Sequence, residues 1–230
     1  MSRIVSFCFD DGFRASAETV WRLFAARDLS ATFCVLAAPE LAKDPFIRGA
    51  AIADWGFWRE AQAAGHEVAP HGWAHERLGE LPVPAACESL DRTLEAFVRE
   101  LPDFELGQAI FHLPYLTAPT PVVQHLSSKV LGVRRKLHQQ GLNRAFGHPR
   151  GASIDCVTFP DPADERLQAR IGRFLGHEAG WLVLVLHGLD GEGWGPVSSD
   201  TLAAILDRLT ASGVRVAPAG QVLRQGTTAS

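Results

Sequence analysis

No apolar run in this 230-residue chain approaches the ~20 residues needed to cross a bilayer. Positive charge is not in excess either: 22 Lys and Arg stand against 26 Asp and Glu, a formal net charge of −4. The first absence argues against a membrane protein. The second argues against a nucleic-acid binder, which needs a basic surface to displace counterions. Cysteine is sparse. Cys8, Cys34, Cys87 and Cys156 form no Cys-x-x-Cys pair, so neither a zinc ribbon nor a redox motif is written here. Cys8 and Cys34 sit inside apolar runs and read as small buried hydrophobes; a few reduced thiols fit the cytoplasm. The N-terminal apolar run stops at Asp10, too short for a signal-peptide core and without a small-residue cleavage site. The expected location is therefore cytoplasmic. Internal repeats are lacking, and the only biased stretch is the polar C-terminal tail, whose residues 226–230 are expected to fray.

What is present is an ordinary globular composition, 47% hydrophobic and 21% charged, on a length suited to one α/β domain spanning residues 1–230. Strand-like apolar runs alternate with helical patterns, the mark of βα units and a mostly parallel sheet. Strands are expected at Ile4–Phe9, Ala31–Leu36, His66–Ala69, Ala109–His112, Val130–Val133, Trp181–Leu186 and Val214–Ala217. Helices are expected at Ala15–Arg27, Trp55–Ala64, Ala85–Leu101, Thr201–Ala211 and Ala219–Arg224. Pro114, Pro119 and Pro121 make the segment after the fourth strand a loop, and the stretch from Gln124 to about Arg170 has little pattern.

Acidic and histidine residues gather where these strands end, the face on which α/β barrels build active sites. Asp10-Asp11-Gly12 follows the first strand, His71 the third, His112 and Tyr115 the fourth, and His187 the run Trp181–Leu186. Adjacent carboxylates repel unless a cation or proton intervenes; the competing reading of Asp10-Asp11 is a helix N-cap with a charged first turn. His71 and His75, four apart, fall on one face of a helical turn and could grip one ion; alternatively they are two surface histidines. With Asp11 they make two imidazoles and a carboxylate, a set that leaves open positions for water at a catalytic divalent metal. His187 is either a satisfied core histidine or, facing the glycine-rich loop Gly188–Gly195, a group suited to proton transfer near neutral pH.

Taken together, these residues resemble the polysaccharide deacetylases of carbohydrate esterase family four. The family's Thr-Phe-Asp-Asp-Gly motif stands here as Cys8-Phe9-Asp10-Asp11-Gly12. Ala31–Val35 resembles its second strand, Gly65–His75 its Gly-His-Glu lead-in and metal-binding histidine pair, and Leu186-His187 its fifth motif. Two departures stand out. The family's Arg two residues before Pro-Tyr is His112 in His112-Leu113-Pro114-Tyr115, and the fourth motif is unrecognisable, with Asp155 the candidate for its Asp. The resemblance implies a distorted, incomplete (β/α) barrel of about seven parallel strands. It also implies a divalent ion, zinc being the expected one, held by Asp11, His71 and His75. In this scheme Asp10 is the base, the backbone N–H of Tyr115 stabilises the oxyanion, and His187 is the acid. His112 pairs with Asp10 in place of the Arg, and Pro114 contacts substrate. Trp194 either lines the acyl pocket or stacks on a sugar, or is an aromatic that simply packs. His66 is read as structural. The implied activity is removal of an N-acetyl or related acyl group from an acetylated sugar. The alternatives are a cytosolic amide hydrolase of a small non-sugar molecule and a catalytically silent carbohydrate-binding protein.

Overall fold

The structure, a computed structural model, describes residues 2–226; the expected fraying past Gly226 lies outside the described residues. The chain begins with β1 (Arg3–Asp11) and α1 (Arg14–Ala25), then β2 (Thr32–Val35), α2 (Trp55–Ala63), β3 (Glu67–Pro70) and α3 (Val83–Glu100). The middle runs through β4 (Ile110–His112), α4 (Thr120–Ser127), β5 (Gly132–Arg134), β6 (Leu142–Asn143), β7 (Ala152–Ile154) and β8 (Val157–Thr158). It closes with α5 (Ala163–Leu175), β9 (Gly180–Leu186), α6 (Ser199–Ala211), β10 (Arg215–Val216) and α7 (Ala219–Gly226). None of the described helices is long and apolar enough to cross a membrane.

Every ladder is parallel except the short β6–β9 pairing. One sheet runs β3-β2-β1-β9, with β10 also on β1 and β8 and β6 on β9; β4-β5-β7 forms a second. Among the described residues no ladder joins β3 to β4 or β7 to β8, so the barrel is distorted and incompletely closed. Alternation along β1 separates its two sides. Val5, Phe7 and Phe9 pack outward against the helix layer with Phe24 and Phe33. Ile4 and Cys8 face a second cluster, with Cys34, Cys156, Trp181, Val183 and Val185, which fills the barrel interior. Cys8 and Cys34 are buried free thiols, as their apolar runs predict, and Cys156 is a third.

Two helices differ from the sequence reading. The segment taken as a loop around Pro119 and Pro121 is α4, whose N-cap is Pro119 and whose first turn holds Pro121. Proline is tolerated there because the first-turn N–H groups have no helical partner anyway. Helix α5 has no counterpart in the sequence reading; it buries Ala163, Leu167, Ile171 and Phe174, at helical spacings of four, four and three. His66 is structural. Its Nδ1 accepts the Ala31 N–H at 3.2 Å, its ring packs on Trp21 and Phe33, and burial pushes its pKa down to about 4, so the imidazole stays neutral.

Candidate active site

Ladder register brings the strand-end residues to one level. Asp10 and Asp11 lie opposite Cys34 and Val35, Val35 lies opposite Pro70 just before His71, and Phe9 lies opposite Leu186 just before His187. Asp11 leaves the strand at φ +73 and Gly12 follows at φ +88. A non-glycine residue in that region is strained and persists only where the surroundings fix it. Here the strain turns the Asp11 carboxylate toward the histidines. Its Oδ1 sits 3.5 Å from His71 Nε2 and 3.6 Å from His75 Nε2.

His71 and His75 meet without a helix. Residues 71–75 form an irregular bend with Gly72 at φ +100 and His75 at φ +57. A Cβ on Gly72 would lie 2.9 Å from the Pro114 ring, so glycine is needed both for the turn and for that contact. The bend is tied to the end of β2 by the N–H groups of Ala37 and Ala38, which donate to the carbonyls of Gly72 and Trp73 at 3.0 and 2.7 Å. His71 Nδ1 donates to the His112 carbonyl at 2.9 Å, which fixes the tautomer and leaves Nε2 as the free lone pair.

These three residues fit a divalent cation. Their donor atoms lie within 4.8 Å of one another, and Asp11 Oδ1 is buried with no hydrogen-bond partner. Such an orphaned oxygen calls for an explanation, and a cation shared with two Nε2 atoms supplies one. Asp10, by contrast, is satisfied. Arg134, on β5 and fully buried, donates to both its oxygens at 2.8 and 2.7 Å. Burial alone would push the Asp10 carboxyl up, but Arg134, with His71 beside it, holds it well below the usual carboxylate range. Asp10 is therefore ionised at neutral pH.

This pairing corrects the reading of His112. His112 sits directly opposite Arg134 in the β4–β5 ladder, so the two residues stand side by side at the same level of the barrel. Arg134, and not His112, binds Asp10. The His112 ring is fully buried, neither of its nitrogens has a partner, and burial with the neighbouring guanidinium drives its pKa well down, so it is neutral and cannot pair as a cation. Cys8, Cys34 and His112 also lie close together. All three are fully buried, with Cys34 opposite Asp10 in the β1–β2 ladder.

The cleft above these groups has a volume of about 610 Å³. His187 and Trp194 form one wall, with ring centroids 5.2 Å apart and edge-on. Trp194 is presented by the glycine-rich loop, where packing leaves little room: a Cβ on Gly188 would clash with the Glu192 carbonyl. Tyr115, at φ +51, also lines the cleft. Its ring packs 4.4 Å from His75, its hydroxyl donates to Asp44 at 2.7 Å, and burial with that hydrogen bond pushes the phenol up to about 12. Pro114 departs from expectation. It is buried against Gly72 and is not part of the cleft lining, because the turn that opens the cleft to Tyr115 directs the proline inward. Asp155 is structural: its carboxylate accepts the N–H groups of Leu137, His138, Gln140 and Gly141 at 2.9–3.1 Å and fixes the segment that follows β5.

Arg134 and Asp44 are the two residues of the site that sequence reasoning misses. Arg134 carries a legible signal, a cation closing the apolar run Val130–Val133, one residue beyond where that strand was drawn. Asp44 lies on the irregular segment between β2 and α2 and carries none.

A sequence model of polysaccharide deacetylases matches residues 1–129. No curated protein sequence matches the chain. Among solved structures it is similar to the family-four esterase domain of a multidomain xylanase from the hindgut metagenome of Trinervitermes trinervoides, at 14% identity and TM-score 0.66 over 98% of this chain and 91% of that one. A family-four acetyl xylan esterase from Clostridium thermocellum, in complex with a cobalt ion, aligns at 16% identity and TM-score 0.65 over 97% and 91%. A family-four pseudoenzyme from Bacillus anthracis aligns at 15% identity and TM-score 0.64 over 99% and 67%. At these identities the likenesses speak to the fold alone.

Proposed function

The chain belongs to the polysaccharide deacetylase family, and from that premise we propose that it is a metal-dependent hydrolase removing an N-acetyl or related acyl group from a carbohydrate-containing substrate. The observation that carries this reading is the orphaned Asp11 oxygen facing two imidazole nitrogens, beside a second carboxylate that has its own buried arginine. Asp11, His71 and His75 are the ligand set, and zinc is the expected ion. A divalent cation held there supplies Lewis acidity, polarising an acyl oxygen and making a water acidic enough for a weak base to deprotonate.

The remaining work falls to side chains of the cleft. Asp10 takes the proton from the attacking water. Arg134 keeps Asp10 ionised and aims it, at the expense of basicity, since a carboxylate held so low is a weak proton acceptor. The Tyr115 N–H, on its left-handed turn, donates to the oxyanion as negative charge develops, a contribution worth about 3 kcal/mol in other hydrolases. His187 protonates the departing nitrogen, and Trp194, edge-on to it, walls that side of the acyl pocket and offers a face for a sugar ring. A silent carbohydrate-binding role is the alternative, but Asp10, Asp11, both cleft histidines and His187 are all assembled here. Incubation of the zinc-loaded protein with a panel of acetylated mono- and oligosaccharides, scored for released acetate, tests the proposal. Acetate release is the expected result, and metal binding without turnover on any member would favour the silent reading.

A further inference from the structure

We propose that Asp44 is a positioning residue that ties one candidate metal ligand, His75, to the residue proposed to hold the oxyanion, Tyr115. The inference rests on the reading of Asp11, His71 and His75 as cation ligands. Asp44 Oδ2 accepts the Tyr115 hydroxyl at 2.7 Å and lies 3.3 Å from His75 Nδ1. That nitrogen is buried and makes no aligned hydrogen bond, so a small rotation of the ring would complete one. A ligating imidazole needs such a partner: an acceptor on Nδ1–H fixes the tautomer, turns Nε2 toward the ion and raises its basicity. His71 already has one in the His112 carbonyl. For His75 the carboxylate in reach of Nδ1 is Asp44.

Asp44 is well held. Its Oδ1 accepts the Phe46 N–H at 2.9 Å, and its carbonyl accepts the Ile47 and Arg48 N–H groups at 3.1 and 2.8 Å. Ile47 and Ala42 anchor the surrounding segment in a small core with Phe13 and Leu36. Side chain and loop are thus fixed before any ion arrives. The same oxygen that faces His75 restrains Tyr115, whose ring stacks on His75 and carries the Arg77 guanidinium 3.8 Å from its centroid. Asp44 thereby couples two elements far apart in sequence, the His71–His75 bend and the Tyr115 turn.

Zinc affinity, measured by competition with a chromogenic chelator, tests this without recourse to turnover. Asp44→Ala should weaken zinc binding about 10- to 100-fold. Asp44→Asn keeps an acceptor oxygen but not the charge and should lie between wild type and Asp44→Ala. Tyr115→Phe, which removes only the other partner, should bind zinc within about threefold of wild type. If Asp44→Ala binds zinc as tightly as wild type, the inference is overturned while the metal reading stands. If wild type itself binds no zinc, the metal reading fails and the inference with it. Should Asp44→Ala fail to fold, Asp44→Asn decides: an unchanged affinity overturns the inference, and a several-fold loss supports it.

Discussion

Residues 1–129 supply Asp10, Asp11, Asp44, His71, His75 and Tyr115 to the cleft; the rest of the chain supplies His187 and Trp194 to it, and the buried Arg134 that holds Asp10 from behind. In the first part, pairs of site residues leave strand ends together, and the strands are registered so that neighbouring ends meet. In the second part the strands β5 to β8 are two or three residues long, and the site residues stand singly, Arg134 at the end of β5, His187 after β9 and Trp194 on the loop beyond it. What places a residue at the site in that part is its level in the barrel and the face on which it stands. Arg134 takes the place expected of an arginine at position 112 because the two positions are ladder partners on one face.

The largest expected effects lie in the first part and test whether its two carboxylates divide the labour. Asp10→Asn should keep the metal and lose about 10²- to 10⁴-fold in turnover, the range for a general base. Asp11→Asn should weaken metal binding. Metal analysis of both variants checks this; equal metal loss would mean that the first part works as one cluster.

Much of that part was open to reading from sequence, and the physical reason is length. Strands β1 and β9 bury runs of seven or more residues, long enough to be seen, and Asp10, Asp11 and His187 stand at their ends. Strand β5 has only Gly132–Arg134 in its ladder, too little for a periodic signal, so its arginine fell outside the expected strand. Proline misled in α4, where Pro119 and Pro121 start a helix and do not prevent one. Helix α5 had its signal in the spacing of Leu167, Ile171 and Phe174, but it begins just after Pro162 within a stretch of Gly, Pro and polar residues. The His71–His75 pair was found for a reason the structure replaces, since a bend and not a helical turn joins the two rings. Asp44 was illegible because its role comes from tertiary proximity alone.

The next effect in size bears on the transferred arginine. Arg134→Met should leave Asp10 buried without its partner, costing about 3–5 kcal/mol of stability as well as most activity. Adding His112→Arg should restore part of both, since the new guanidinium starts from the adjacent ladder position and the removed one frees space in the barrel. Thermal melts and acetate release on the single and double variants check this. A double variant no better than Arg134→Met would show that level and face are not enough.

His187 gives the second part its own chemical test. If it is the acid proposed to protonate a leaving nitrogen, it should matter far more for an amide than for an activated ester, whose leaving group needs little protonation. His187→Ala should therefore lose about 10²-fold or more on the amide and much less on a matched ester. Equal losses on the two substrates would remove the acid assignment.

The smallest expected effect is at His112, whose ladder neighbour Arg134 is the residue that binds Asp10. Its two ring nitrogens are buried and unbonded, and a buried polar group without a partner costs about 1–3 kcal/mol. His112→Leu removes both nitrogens at similar volume and should change stability at pH 7 by less than about 1 kcal/mol, or improve it, with activity retained. The sign with pH follows from the depressed pKa of the folded state. As pH falls through the unfolded histidine value of about 6.5, the unfolded chain takes up a proton that the buried ring refuses, so wild type loses stability that the leucine variant keeps. Denaturant titrations at pH 7 and pH 5 should show the variant gaining on wild type at the lower pH. A loss of activity in His112→Leu, with metal and fold intact, would mean that this position still takes part in the chemistry, and that the passage of its role to Arg134 is incomplete.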